Sequence, residues 1–249
     1  MYRGYESYSF KQGRTRTRRI AFVILRAILV TFVLYLVATG ALVRSLRMET
    51  ASMEPVLRTG DRVLATPLVY GLRLPFLHEW ILETGRPKRG ELIVLEPPYY
   101  PDVGTPRSVL DSVVGFFTLQ RQTAVVDVTG DRIGRFMIKR VIGLPGDTVR
   151  LERFVAYVKP AGQRSYRRET ELIEAEYEVS IRPLPEDWPE DAPFSGEMEP
   201  ILLQEGEYFV LGDNRCCSSD SRSWGPVGLT RIRERVVLRY WPLRNLDPL

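Results

Sequence analysis

One apolar run divides this chain and limits what the rest of it can become. From Ile20 to Val43 (IAFVILRAILVTFVLYLVATGALV) the only charged residue is Arg26. Its uninterrupted part, Ala27 to Val43, makes roughly 26 Å of helix, close to the thickness of a hydrocarbon core, and Arg26 is long enough to reach the interface. No second run of that length follows. In the preceding stretch, residues 1–19, Arg3, Lys11, Arg14, Arg16, Arg18 and Arg19 stand against a single acid, Glu6. That composition predicts a disordered basic tail drawn to anionic lipid headgroups. The bias of basic residues towards the cytoplasm then predicts an inside N-terminus, a span over 20–43 and the bulk, 44–249, across the membrane. The competing reading is a cleavable leader, with Ala38-Thr39-Gly40 as a small-residue cleavage site; the long basic region and long run favour an anchor.

Beyond the run the chain reads as short apolar strands separated by turn signals, in keeping with its 19 glycines and 18 prolines. Strands are expected at Arg62–Leu68, over Gly90–Leu95, over Phe136–Val141, over Thr148–Val158, at Tyr208–Leu211 and at Arg233–Trp241. Tyr70–Pro75 is too punctuated by Gly and Pro for a helix. Val109, Val113, Phe116 and Phe117 recur at helical spacing, which predicts a short amphipathic helix over Val109–Gln122. Residues 159–205, rich in charge and proline, read as an inserted, partly extended subdomain, and Gly212–Gly225 as a polar loop.

Composition excludes several functions. The net charge of +4 is modest, and no basic face with aromatics or a recognition motif appears, so no nucleic-acid partner is expected. Cys216 and Cys217 are adjacent, which excludes an ordinary loop-closing disulfide; a strained vicinal bridge, two thiols or an intermolecular bond stay open. With His78 the single histidine, a zinc site is not expected, and neither a metal nor a cofactor is called for.

Ser52 lies in a Ser-Met-x-Pro turn just past the apolar run, with Thr50 two residues before it and on the same side if the chain is extended. A serine nucleophile needs a base. His78, among Pro75, Phe76, Leu77 and Trp80, reads as a packed histidine. A lysine serves instead if burial lowers its pKa. Of the four lysines, Lys11 precedes the span and Lys88 and Lys159 adjoin prolines, whereas Lys139 sits mid-strand. Alternation sets Met137, Lys139 and Val141 on one face and Ile138, Arg140 and Ile142 on the other. Spacing alone leaves Lys139 either desolvated in the interior or exposed on a protective edge strand.

Three blocks resemble the signatures of bacterial type I signal peptidases: Ser52-Met53-Glu54-Pro55, Lys139-Arg140-Val141-Ile142-Gly143-Leu144-Pro145-Gly146-Asp147, and Gly212-Asp213-Asn214-Arg215-x-x-Ser218-x-Asp220-Ser221-Arg222. Two weaker ones, Tyr70-Gly71-x-Arg73-x-Pro75 and Pro87-Lys88-Arg89-Gly90-Glu91, match in order between them. The resemblance implies a mostly β fold: an antiparallel catalytic domain with a smaller inserted β region, behind one transmembrane helix. It implies a Ser-Lys endopeptidase that removes signal peptides from exported preproteins at the outer face of the cytoplasmic membrane. Its partners would be those signal peptides and membrane lipid. Carried over residue by residue, Ser52 is the nucleophile, Lys139 the general base and Thr50 an oxyanion donor beside the Ser52 N–H. Ser218 orients the lysine amine, while Asp213, Arg215, Asp220 and Arg222 brace the loop. Met53, Met137 and Ile138 line shallow pockets for small side chains at −1 and −3.

Two positions depart from the family pattern. Val56 replaces the usual hydroxyl residue after Pro55, and Cys216-Cys217 replaces the common Asp-Asn pair. Oxidation of those thiols would strain the loop that carries Ser218. Rival readings are a specialised peptidase for one conjugation or pilus substrate, and an anchored β module that binds extended peptides without cutting them.

Overall fold

A computed structural model describes residues 6–41, 43–72, 82–99, 110, 113, 114, 136–181 and 196–249. The first element is one helix, α1 (Glu6–Ala41), so residues 6–19, expected as a disordered tail, continue the apolar helix. Phe22, Val23, Leu25, Leu29 and Leu34 on it stand 59–67% exposed, with no protein packed over them. Among the described residues no helix is long and apolar enough to cross a membrane.

The remainder is mostly antiparallel β, as expected. The strands are β1 (Arg44–Arg47), β2 (Arg62–Thr66), β3 (Gly71–Leu72), β4 (Leu82–Glu83), β5 (Leu92–Leu95), β6 (Met137–Gly143) and β7 (Thr148–Glu152). They continue with β8 (Val155–Lys159), β9 (Arg167–Arg168), β10 (Met198–Leu202), β11 (Glu207–Leu211), β12 (Val227–Gly228), β13 (Ile232–Trp241) and β14 (Asp247–Pro248). The main sheet has eight strands in the order β1-β2-β13-β5-β6-β11-β12, with β14 also on β13. β1 had no clear signal in the sequence, because Arg-Ser-Leu-Arg offers one apolar residue; it pairs with β2 from Arg44↔Ala65 to Arg47↔Arg62.

Side-chain alternation on β5 builds both faces of this sheet. Leu92 and Val94 join Met48, Met53, Leu57, Val63 and Ile138 in one core cluster. Ile93 and Leu95 join Tyr70, Val141, Tyr208 and Val210 in another. A third cluster, around Ile142, Val149, Val158 and Phe209, sits between the main sheet and a smaller one. The smaller sheet runs β10-β7-β8-β9. Its strands β7 and β8 were expected as a single strand over Thr148–Val158. They form a hairpin instead, turned at Arg153 and Phe154, whose φ values are 50° and 67°. Neither residue type favours that left-handed conformation, so the turn carries no signal of the usual Gly or Asn kind. The smaller β unit thus begins before residue 159 and adds a short helix, α2 (Glu169–Leu172). The helix expected over Val109–Gln122 lies outside the described residues except for Leu110, Val113 and Val114, which are helical, and His78 lies outside them too.

Candidate active site

Ser52 sits in the turn between β1 and β2. Two hydrogen bonds close it, from Glu54 N–H to Ala51 O at 3.1 Å and from Leu57 N–H to Met53 O at 2.9 Å. Met53 and Leu57, both wholly buried in the core cluster below, pin it from beneath. Full burial of such side chains is worth about 1.5–3 kcal/mol each.

Lys139 is on β6, and β6 lies between β5 and β11 in the interior of the sheet. Of the two readings open from spacing, the exposed edge is therefore excluded. Lys139 pairs across the ladder with Ile93 and is 0% exposed. Its Nζ lies 3.0 Å from Ser52 Oγ. Burial is the main influence on the amine and lowers its pKa from 10.5 to about 8, since a desolvated ammonium is disfavoured. Asp220 and Asp213 oppose that lowering by their charge, and Arg222 adds to it. On the other side of the same hydroxyl, Thr50 Oγ1 donates to Ser52 Oγ at 3.1 Å.

The loop after β11 closes over this pair. Gly212 is there because nothing larger fits: a Cβ would lie 2.1 Å from Ser218 Oγ and 2.5 Å from the Ser52 carbonyl oxygen. Asp220 accepts from Gly212 N–H at 3.0 Å and from Arg222 Nε and Nη2, both at 2.8 Å. Burial pushes the Asp220 carboxyl up, but the Arg222 guanidinium and the Gly212 N–H outweigh it and hold it below its ordinary value. Asp220 also caps a helical turn, α3 (Ser221–Trp224), through Arg222 N–H. Arg140 forks onto Asp213 with bonds of 2.8 and 2.7 Å. Arg215 reaches Glu169 Oε2 at 2.7 Å. Both pairs are almost fully buried.

The residues marked in the sequence thus gather at one place, with differences in detail. Ser218 Oγ is buried without a hydrogen bond to Lys139. Met53 is enclosed and Ile138 is 7% exposed, so both form a floor, while the half-buried Met137 receives the Tyr99 hydroxyl at its sulfur, 3.4 Å away. Three participants went unmarked. Arg140 is the partner of Asp213, Glu169 the partner of Arg215, and Asn214 donates to the Ala51 and Ser52 carbonyls. Asn214 and Arg140 stand inside the quoted blocks; Glu169 had no signal, being 46 positions from its partner.

A family model described as signal peptidase, peptidase S26, matches residues 21–241. The chain belongs to that family. Relatives include thylakoidal processing peptidase 1 of Arabidopsis thaliana, 29% identical over 203 residues, covering 82% of this chain and 43% of the relative. The probable signal peptidase I-2 of Synechocystis sp. is 27% identical over 202 residues, 81% of this chain and 65% of that one. Signal peptidase I of Bacillus licheniformis is 25% identical over 237 residues, 95% of this chain and 97% of the relative. The chain therefore spans less than two thirds of the first two relatives and nearly all of the third. Within this S26 chain the Ser52–Lys139 contact joins the first and second signature blocks, and the Gly212–Arg222 loop is the third.

Proposed function

We propose that this chain is a membrane-anchored serine endopeptidase that removes N-terminal signal peptides from exported preproteins. One observation carries the reading: a wholly buried lysine whose Nζ is 3.0 Å from a serine Oγ. With a pKa of about 8 the amine is neutral in about one molecule in ten at pH 7, enough for a general base.

In the forward step neutral Lys139 takes the proton from Ser52 Oγ as that oxygen bonds to the scissile carbonyl carbon. The carbonyl oxygen becomes an oxyanion, with the Ser52 N–H and Thr50 Oγ1 as donors. Thr50 Oγ1, 3.1 Å from Ser52 Oγ, is within reach of a group bonded to that atom. One such donor is commonly worth about 2.7–4 kcal/mol. Lys139 then gives its proton to the leaving amine as the C–N bond breaks. Water attacks the acyl ester as Lys139 accepts its proton; Lys139 then returns that proton to Ser52 Oγ as the ester C–O bond breaks, so that both groups are regenerated and the signal peptide leaves with a new carboxylate.

Asp213, Arg215, Ser218, Asp220 and Arg222 hold this geometry without moving protons. Small residues at −1 and −3 suit a site bordered by Met137 and floored by Met53 and Ile138. Anchoring through residues 20–43 is supported by the exposed apolar side chains of α1, and the basic residues before it favour a cytoplasmic N-terminus with the peptidase domain on the outer face. Ser52→Ala and Lys139→Ala in the full chain test the proposal: both should abolish cleavage of a model preprotein while the fold persists. Normal cleavage by Lys139→Ala would refute the dyad.

A further inference from the structure

Asn214 makes two bonds to the turn that carries the nucleophile. Its backbone N–H donates to the Ser52 carbonyl at 3.1 Å, and its side-chain Nδ2 donates to the Ala51 carbonyl at 3.1 Å. The second contact has a consequence for the Ser52 N–H. Ala51 C=O and Ser52 N–H belong to one peptide unit, and the cis bonds of the described chain are at Glu54–Pro55 and Trp241–Pro242, so this unit is trans. In a trans unit the carbonyl and the N–H point in opposite directions. A donor fixed on the Ala51 oxygen therefore fixes the aim of the Ser52 N–H. Rotation of that unit would turn a carbonyl oxygen towards the developing negative charge.

We propose that Asn214 is a positioning residue that latches the Ala51–Ser52 peptide with its N–H aimed at the oxyanion. The inference rests on the peptidase reading above and extends it to a residue which that reading does not use.

The amide has one orientation available here. Reversed, it would set Oδ1 against the Ala51 oxygen at hydrogen-bonding distance, two acceptors face to face. In the orientation it adopts, Oδ1 is buried with no partner among the described residues. An unpaired buried acceptor carries a desolvation penalty, and the donor half of the group accounts for keeping it there. Asn214 and both its neighbours are held by backbone bonds. Ser180 N–H donates to Asp213 O and Arg215 N–H to Ser180 O, both at 2.9 Å, while Cys217 N–H donates to Asn214 O at 3.2 Å. The residue is 2% exposed, so it is all but closed off from solvent.

The test compares wild type, Asn214→Ala and Asn214→Asp in the full chain, using a model preprotein, a peptide aldehyde that forms a tetrahedral adduct on Ser52, and a non-cleavable peptide of the same sequence. Asn214→Asp keeps the size and loses the donor. Losing control of one oxyanion donor should lower kcat about 10²-fold, with KM within about twofold of wild type. Aldehyde affinity should fall in parallel, while the non-cleavable peptide binds as before. For Asn214→Ala the pH dependence should keep its inflection near 8, because Lys139 is untouched. A folded variant with wild-type kcat, or equal losses for aldehyde and non-cleavable peptide, overturns the latch. If either variant fails to fold, the other decides. Failure of wild type to cleave the preprotein or bind the aldehyde would instead refute the peptidase reading itself.

Discussion

Lys139 makes this fold less stable than it need be, and the amount can be worked out. The amine, wholly buried, has its pKa lowered from 10.5 to about 8, chiefly by burial. That lowering corresponds to about 3 kcal/mol. The sign follows from proton counting. Between pH 8 and 10.5 the unfolded chain holds a proton on this lysine that the folded chain has lost, so the contribution to stability rises with pH across that window. Below pH 8 both forms are protonated and the whole penalty is present. Lys139→Met keeps length and volume and never charges. It forfeits the bond to Ser52 Oγ, worth about 1 kcal/mol, so the net gain at pH 7 is about 2 kcal/mol. For a chain of this size that is a rise in Tm of roughly 4–8 °C. Thermal unfolding of the full chain in detergent, followed by circular dichroism at pH 6, 7, 9 and 10.5, should show this gain with no activity left. The gap to wild type should close steadily above pH 8. A variant less stable than wild type at pH 7, or a gap that ignores pH, would refute the argument that Lys139 is held desolvated for its chemistry.

Three other perturbations probe the surroundings of the Ser52–Lys139 contact. Gly212→Ala places a methyl 2.1 Å from Ser218 Oγ and 2.5 Å from the Ser52 carbonyl oxygen, and should cost about 1–3 kcal/mol in urea unfolding together with most of the activity; a stable, fully active variant would show that the loop can withdraw freely. Arg140→Met strands the buried Asp213 carboxylate and should lose about 3–5 kcal/mol, whereas adding Asp213→Leu should restore most of the stability but not the rate. Equal stability of the single and double variants would count against that pairing. The Cα atoms of Cys216 and Cys217 are about 3.8 Å apart across their peptide, shorter than the 4.4–6.8 Å usual for a disulfide. Thiol–disulfide exchange with oxidised glutathione, which removes two protons and two electrons from the pair as the glutathione is reduced to its thiol, should lower the cleavage rate reversibly; identical rates with and without dithiothreitol would dismiss it.

How far the sequence reached depends on whether an element carries its own periodicity. β5 was legible because it is a continuous apolar run between Gly90 and Pro97, as interior strands require, and β6 because its apolar residues flank Lys139 and Arg140 ahead of the Gly143–Pro145 turn. Lys139 was legible as a candidate but not as a buried group, since burial depends on β11, about 70 residues later, lying alongside β6. The β7–β8 turn escaped notice because Arg153 and Phe154 are held left-handed by tertiary context: Phe154 N–H donates to Gly196 O at 2.9 Å. Glu169 was invisible for the same reason. A carboxylate in a charged, proline-rich stretch reads as solvated until the fold sets Arg215 against it.

That last pair changes what the smaller β unit is for. It read as an inserted, partly extended subdomain with no role assigned, yet Glu169 and Ser180 grip the loop that carries Asn214 and Tyr177 supports them. Glu169 takes the Arg215 guanidinium and the Tyr177 hydroxyl, the Tyr177 ring lies 4.0 Å from the Arg140 guanidinium, and Ser180 exchanges backbone bonds with the 213–215 segment. Buried ion pairs are weak as net stabilisers, because desolvation offsets most of their attraction. Their other bonds give a better account of them. Arg140 also donates to Gly90 O, Arg215 to Gly212 O and Phe154 O, and Arg222 to Ser218 O. Each guanidinium therefore ties a carboxylate and at least one backbone carbonyl into a fixed arrangement. A lysine base needs such rigidity more than a histidine does: its amine ends a flexible four-carbon stem, so the surroundings must hold both the stem and the hydroxyl it serves. In this chain the main sheet holds the stem, the loop holds the turn that carries the hydroxyl, and the smaller β unit holds the loop.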